Sequence, residues 1–227
     1  MNIHVLCPFY RKHLYNTLIS YYEKMDIIWH PICDPIDIEP FEDNKISWIK
    51  PFLCPPFLKT DQPYRKFNDF IEGSDIVDND YYCFIGDDDM FEEGFFDVIR
   101  QQTSKILINS CYRGDVIPDG GIPRSRHPIY PLIMRELENI HYGNIGLGMF
   151  TIKGEILKQT RFIAEPVSDD TAYCFGDGLY AENLKNKWPN EIKFLTNLFV
   201  LGNYFQPGRY TENSKNNFIK LKNFLTR

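Results

Sequence analysis

No two cysteines of this chain form a Cys-x-x-Cys pair. The six, Cys7, Cys33, Cys54, Cys83, Cys111 and Cys174, are scattered, which excludes zinc-finger ligand spacing. Cys7 and Cys83 lie inside apolar runs, so the set reads as buried, reduced thiols rather than a disulfide framework. Long apolar runs are also missing: none approaches the ~20 residues that a membrane-crossing helix needs. The stretch Met1 to Cys7 is too short and too mixed for a secretory signal, and a cytoplasmic protein is expected. Positive charge is in deficit. With 25 Lys and Arg against 31 Asp and Glu, the net charge is −6, and the whole molecule is no electrostatic match for nucleic acid. Glycines are absent from Cys7-Pro8-Phe9-Tyr10-Arg11-Lys12 after the first apolar run. Gly143, Gly146 and Gly148 stand in the wrong order for Gly-x-Gly-x-x-Gly.

What is present describes an α/β protein. The chain has 227 residues, enough for one domain with a real core. Ile3 to Phe9 reads as a strand ended by Pro8, Lys12 to Lys24 as an amphipathic helix, and Asp26 to Ile32 as a second strand. That order predicts a parallel crossover. Residues 33–63 are proline-rich loop with a short strand at Ile46 to Ile49. Tyr64 to Val77 returns to helical spacing, with Phe67, Phe70 and Ile71 on its apolar side. Further strands are read at Lys105 to Cys111, Ile145 to Ile152 and Lys193 to Leu201, with a short helix over Lys153 to Lys158. A helix is expected to follow Phe175-Gly176-Asp177-Gly178. No linker interrupts the chain, so 1–227 is read as one domain. It reads as a half of about 1–112, a half of about 113–210 and a basic tail over 211–227.

The most informative stretch is Tyr81-Tyr82-Cys83-Phe84-Ile85-Gly86-Asp87-Asp88-Asp89-Met90. A buried strand delivers three carboxylates at its C-terminal end, where open α/β sheets bind ligands. Adjacent buried carboxylates repel, and a divalent cation relieves that cost. Mg2+ and Mn2+ accept one or two protein carboxylates and complete their shell with water and phosphate oxygens. The competing reading is a helix N-terminus capped by acidic residues. Glu92 and Glu93 suit it, and Phe91, Phe95, Val98 and Ile99 would form that helix's apolar face.

A first strand stopped by proline, a crossover helix, a Lys-x-Asn element and an apolar strand running into Asp-x-Asp together resemble a small nucleotide-sugar glycosyltransferase of the GT-A fold. The resemblance implies a Rossmann-like three-layer α/β/α fold with a central mixed, mostly parallel sheet. It implies that Asp87 and Asp89 hold Mn2+ or Mg2+ against a sugar-nucleotide diphosphate, with Asp87 nearer the ribose and Asp88 sharing either role. Pro8, Phe9 and Tyr10 would edge the base pocket. Lys66 and Asn68 would contact nucleotide or sugar, or else line a solvated helix face. Asp177 would be the general base of an inverting reaction, or a helix N-cap; Asp169 and Asp170 are the next candidates. Gly143 to Gly148 would approach sugar or acceptor, or form a plain turn into a strand. Many relatives place a late histidine on the metal. None follows His141 here, and Asn203, Gln206 or water are candidates for its place.

The expected activity is therefore metal-dependent hexosyl or pentosyl transfer from a UDP-, GDP- or CDP-sugar to a hydroxyl acceptor. That acceptor would be a saccharide, a lipid-linked glycan or modified nucleic acid. The rival readings are a nucleotidyltransferase and a non-catalytic sugar-nucleotide-binding module of the same fold. Arg124, Arg126, His127, Lys215, Lys220, Lys222 and Arg227 read as solvated surface, or as a diphosphate clamp or a site for an anionic acceptor such as phospholipid or DNA.

Overall fold

The apolar hexapeptide Ile3–Pro8 forms β1, and every one of its residues is buried. It is flanked by β2 (Ile28–Cys33) and by β4 (Tyr81–Phe84), both parallel to it. The computed structural model describes residues 1–55, 63–113, 131–141, 144–163, 172–205 and 212–225.

Helices cover both faces of this parallel core. Leu6 is in register with His30 and Phe84. Their face receives α2 (Pro63–Gly73), whose Phe70 packs against His30 and Phe67 against Phe84. The opposite face carries Val5 in register with Trp29. There Tyr22 of α1 (Tyr15–Tyr22) meets the Trp29 ring. Two alternating strand faces, each apolar, require a helix on each side.

The short β3 (Phe52–Leu53) pairs with β2 at one edge. Beyond β4 come β5 (Met90–Phe91), α3 (Phe95–Arg100), β6 (Ile106–Arg113), β7 (Phe150–Lys153), α4 (Gly154–Leu157), α5 (Ala172–Lys187), β8 (Ile192–Gly202) and α6 (Glu212–Leu225). The eight strands make one sheet ordered β3-β2-β1-β4-β7-β6-β8-β5. Strand β7 runs antiparallel to β4 and β6, and β5 antiparallel to β8, while β6 and β8 are parallel. The fold is α/β with a mixed, mostly parallel sheet. A stack of rings joins α5 to it: Tyr180 lies on Phe162 at 3.9 Å between centroids, with Phe84 and Phe150 beside them.

Several elements differ from the sequence reading. Ile46 to Ile49 is a turn held by one bridge to Trp29, and the strand lies later, at β3. Met90 and Phe91 extend as β5 because they find β8 as a partner, so the helix begins only at Phe95, after left-handed Gly94. Glu92 therefore caps nothing. Its buried carboxylate accepts the Phe199 amide at 2.8 Å and the Lys222 ammonium at 2.9 Å, tying β8 and α6 to the strand end. Helix α5 starts at Ala172, which puts Asp177 inside the helix rather than at its N-cap.

Candidate functional site

Because β1, β2 and β4 are parallel, their C-terminal ends share one edge of the sheet. That edge receives Tyr10 and Arg11 after β1, Asp34 after β2 and Asp87 to Asp89 after β4. Asp87 is the hub. Its Oδ2 accepts the backbone N–H of Tyr10 and of Arg11, each at 2.9 Å, and its Oδ1 accepts the Arg11 guanidinium. The other end of that guanidinium lies 3.3 Å from Asp88 Oδ2. Burial raises the Asp87 pKa above its ordinary value, with the Tyr10 amide and the Arg11 charge opposing the shift.

The turn after β8 closes over the next two aspartates. Asn203, in left-handed conformation at φ 57°, donates its N–H to Asp89 Oδ1 at 2.7 Å. The Phe205 amide donates to the Asp88 carbonyl at 2.9 Å, and the Phe205 ring packs against Tyr21. Gly86 makes room for the carboxylates. A Cβ there would lie 3.1 Å from Asp88 Oδ1 and 3.2 Å from Asp89 Oδ2, so one oxygen from each faces the same small space above the backbone.

Helix α2 supplies the third wall. Lys66 is 3% exposed, pairs with Asp34 Oδ2 at 2.9 Å and sits 3.7 Å above the Tyr10 ring centre. It does not lie on a solvated face. Asn68 bonds Phe162 through both its amide nitrogen and its amide oxygen, at 2.9 and 2.8 Å. Two residues before Lys66 on the same helix, Tyr64 donates its hydroxyl to Asp177 on α5. Asp177 Oδ2 also accepts the Leu147 amide at 3.0 Å. Burial pushes the Asp177 pKa up to about 6, against the lowering effect of these bonds. Gly176 permits this approach, since a Cβ there would meet the Tyr64 ring at 2.5 Å. A half-buried carboxyl poised near neutrality, held by donors from two elements, can exchange a proton with a ligand.

This architecture has solved counterparts. The chain is similar in fold to S. aureus TarS. It matches a TarS 1-349 structure at TM-score 0.54 and 18% identity, covering 88% of this chain and 60% of that one. It also matches TarS 1-349 in complex with UDP-GlcNAc at TM-score 0.53 and 16% identity, covering 98% and 65%. The complex with UDP gives TM-score 0.52 at 15% identity, covering 98% and 64%. The chain thus spans somewhat under two thirds of the TarS 1-349 length. No family model and no curated protein sequence matches it.

Within the TarS-like sheet, the residues singled out from sequence divide in two. Tyr10, Lys66, Asp87, Asp88 and Asp89 lie together at the strand edge. Asp177 lies on α5 and is tied to α2 through Tyr64, two residues before Lys66. Pro8 ends β1, and Phe9 is wholly buried, edge-on to Trp29 and Phe41. Asp169, Asp170, Gly143, Gln206, Arg124, Arg126, His127 and Arg227 lie outside the described residues. Among the tail lysines, Lys222 is committed to Glu92, and Lys215 pairs with Glu212 at 3.6 Å.

Arg11, Asp34 and Tyr64 escaped the sequence reading. The first two had a usable signal, since Asp34 follows directly on β2 and Arg11 stands three residues after β1, at strand ends that face the site. Among the described residues no group of three His, Cys, Asp or Glu side chains is gathered as a metal-ligand set. Two carboxylate oxygens converging over Gly86 do suit a cation that takes one or two protein carboxylates. No helix among the described residues is long and apolar enough to cross a membrane.

Proposed function

We propose that this protein is a metal-dependent glycosyltransferase of the GT-A type, moving a sugar from a nucleoside diphosphate donor to a hydroxyl acceptor with inversion. The observation that carries the reading is the bridging role of α2. It joins an acidic strand edge suited to a metal–diphosphate ligand with a carboxyl whose pKa is near 6. TarS, similar in fold, has been solved with UDP-GlcNAc and with UDP, which favours a UDP-sugar among the possible donors.

In this reading the donor lies along the ends of β1, β2 and β4. Asp34, Lys66 and the Tyr10 ring edge its nucleoside end. Asp87 organises the loop after β1. Asp88 and Asp89 would hold Mn2+ or Mg2+, which supplies charge neutralisation for the departing diphosphate. Asp177 accepts the acceptor's hydroxyl proton as that oxygen bonds to the anomeric carbon. The bond from that carbon to the phosphate oxygen breaks on the opposite side. Tyr64 and the Leu147 amide keep the Asp177 carboxylate oriented through the transfer.

Thermal-shift measurements with UDP-, GDP- and CDP-sugars, with and without Mn2+, test the assignment. A UDP-sugar is expected to stabilise the fold, more so with Mn2+, and slow metal-dependent release of free sugar should accompany it. Stabilisation without any sugar release would instead favour a binding module. No response to any sugar nucleotide would overturn the reading.

A further inference from the structure

The acidic strand edge already contains a cation of its own. Asp87 is 1% exposed and Asp88 9%, and consecutive carboxylates repel one another when they carry charge in such surroundings. Arg11 meets two of them with one planar fork, Nη1 on Asp87 and Nη2 on Asp88. Its backbone N–H holds Asp87 as well, so the loop after β1 and the guanidinium are both fastened to the same carboxylate. The side chain keeps 36% of its surface exposed, so its outer edge remains available to a ligand.

The charge count is informative. Three carboxylates and one guanidinium sum to −3 + 1 = −2, which one divalent cation neutralises. Without Arg11 the same edge would carry −3. Arginine suits this position because its fork engages two carboxylates at once and still presents N–H donors outward, in a geometry that matches phosphate oxygens.

We propose that Arg11 is a positioning residue and resident counter-cation that receives the diphosphate of a nucleoside diphosphate. It would moderate the attraction of Asp88 and Asp89 for a metal until that ligand arrives. The proposal rests on the glycosyltransferase reading for its ligand class, and it makes two linked expectations of opposite sign. Losing the guanidinium weakens binding of the diphosphate and strengthens binding of the metal alone. A purely structural arginine would not separate the two, because loosening the loop would weaken both.

The test uses the full chain, UDP as the nucleotide probe and Mn2+ as the metal probe. UDP affinity is measured by calorimetry in EDTA, and free Mn2+ by electron paramagnetic resonance without nucleotide. Arg11→Met should weaken UDP binding about tenfold, the scale of one charge-assisted contact. The same variant should bind Mn2+ several-fold more tightly than the wild type. Arg11→Lys, which keeps the charge but loses the fork, should fall between the two and serves if the methionine variant unfolds. Weakening of both ligands, or no change in either with the melting temperature intact, would overturn the proposal. If wild-type protein binds no UDP even with Mn2+, the sugar-nucleotide reading fails by itself. The Mn2+ comparison then judges the counter-cation role alone, and unchanged Mn2+ affinity would end that too.

Discussion

Asn68 and Phe162 exchange two hydrogen bonds, side-chain amide to backbone carbonyl and backbone N–H to side-chain oxygen, across 94 residues of sequence. The pair fastens α2 to the segment before α5 and holds Phe162 in its ring stack with Tyr180. Asn68→Ala leaves both backbone groups of Phe162 without their partner and should lower stability by about 1–3 kcal/mol. Urea unfolding checks this. A neutral result would mean that water replaces the amide without cost.

Asp177 should reveal itself twice. Its pKa of about 6 predicts that sugar transfer rises between pH 5 and pH 7 as the carboxyl deprotonates. Asp177→Asn should cut turnover by about 10²–10⁴-fold while donor affinity is retained. Stability should move the other way. A carboxyl with a folded pKa above its ordinary 3.8 favours folding when protonated, and that benefit is lost as pH rises through about 6. The asparagine variant should therefore gain melting temperature over wild type at pH 7.5, by a margin that shrinks toward pH 4. Near-normal turnover in this variant would remove Asp177 from the proton-transfer role.

Gly176→Ala tests the contact between α5 and α2. The added methyl would meet the Tyr64 ring at 2.5 Å and its Cγ at 3.0 Å, and overpacking of this kind costs about 1–3 kcal/mol. Displacing Tyr64 also removes a donor from Asp177. The pH midpoint of transfer should then rise, because that bond helps to hold the pKa down. An unchanged midpoint would show that Tyr64 does not govern Asp177.

A stacked pair of histidines is expected to make the fold acid-sensitive. His30 stacks with His4, bonds it at 2.9 Å and reaches the Lys50 carbonyl at 3.2 Å. Burial, followed by the His4 charge, pushes the His30 pKa down to about 3. The unfolded chain takes up this proton near 6.5 and the folded one does not, so stability should fall as pH drops from 6.5 toward 3. His4, also lowered by burial, acts in the same direction. Asp80, held below its ordinary 3.8, adds its loss only beneath that value. His30→Gln should flatten the dependence of melting temperature on pH between 6.5 and 4. An unchanged slope would place the sensitivity elsewhere.

Much of this could be read from the residues in order. Apolar runs and the Pro8 stop located β1, β2 and β4, and the spacing of Phe67, Phe70 and Ile71 located α2. The jump from Phe84 to three aspartates put carboxylates at a strand end. Such features depend on local periodicity and on which side chains avoid water, and both are written along the chain. The sequence by itself thus determined an α/β protein whose acidic motif faces a strand edge.

What only the tertiary structure decided is which group each residue meets. Arg11 finds Asp87 across 76 positions, Tyr64 finds Asp177, and Glu92 serves β8 and α6 instead of a helix start. Met90 and Phe91 are extended because β8 lies beside them, although their neighbours have helical spacing. Strand order brings these partners together, and hydrophobic periodicity carries no record of strand order. A charge or an amide in sequence shows only what it can bond; the sheet determines what is within reach.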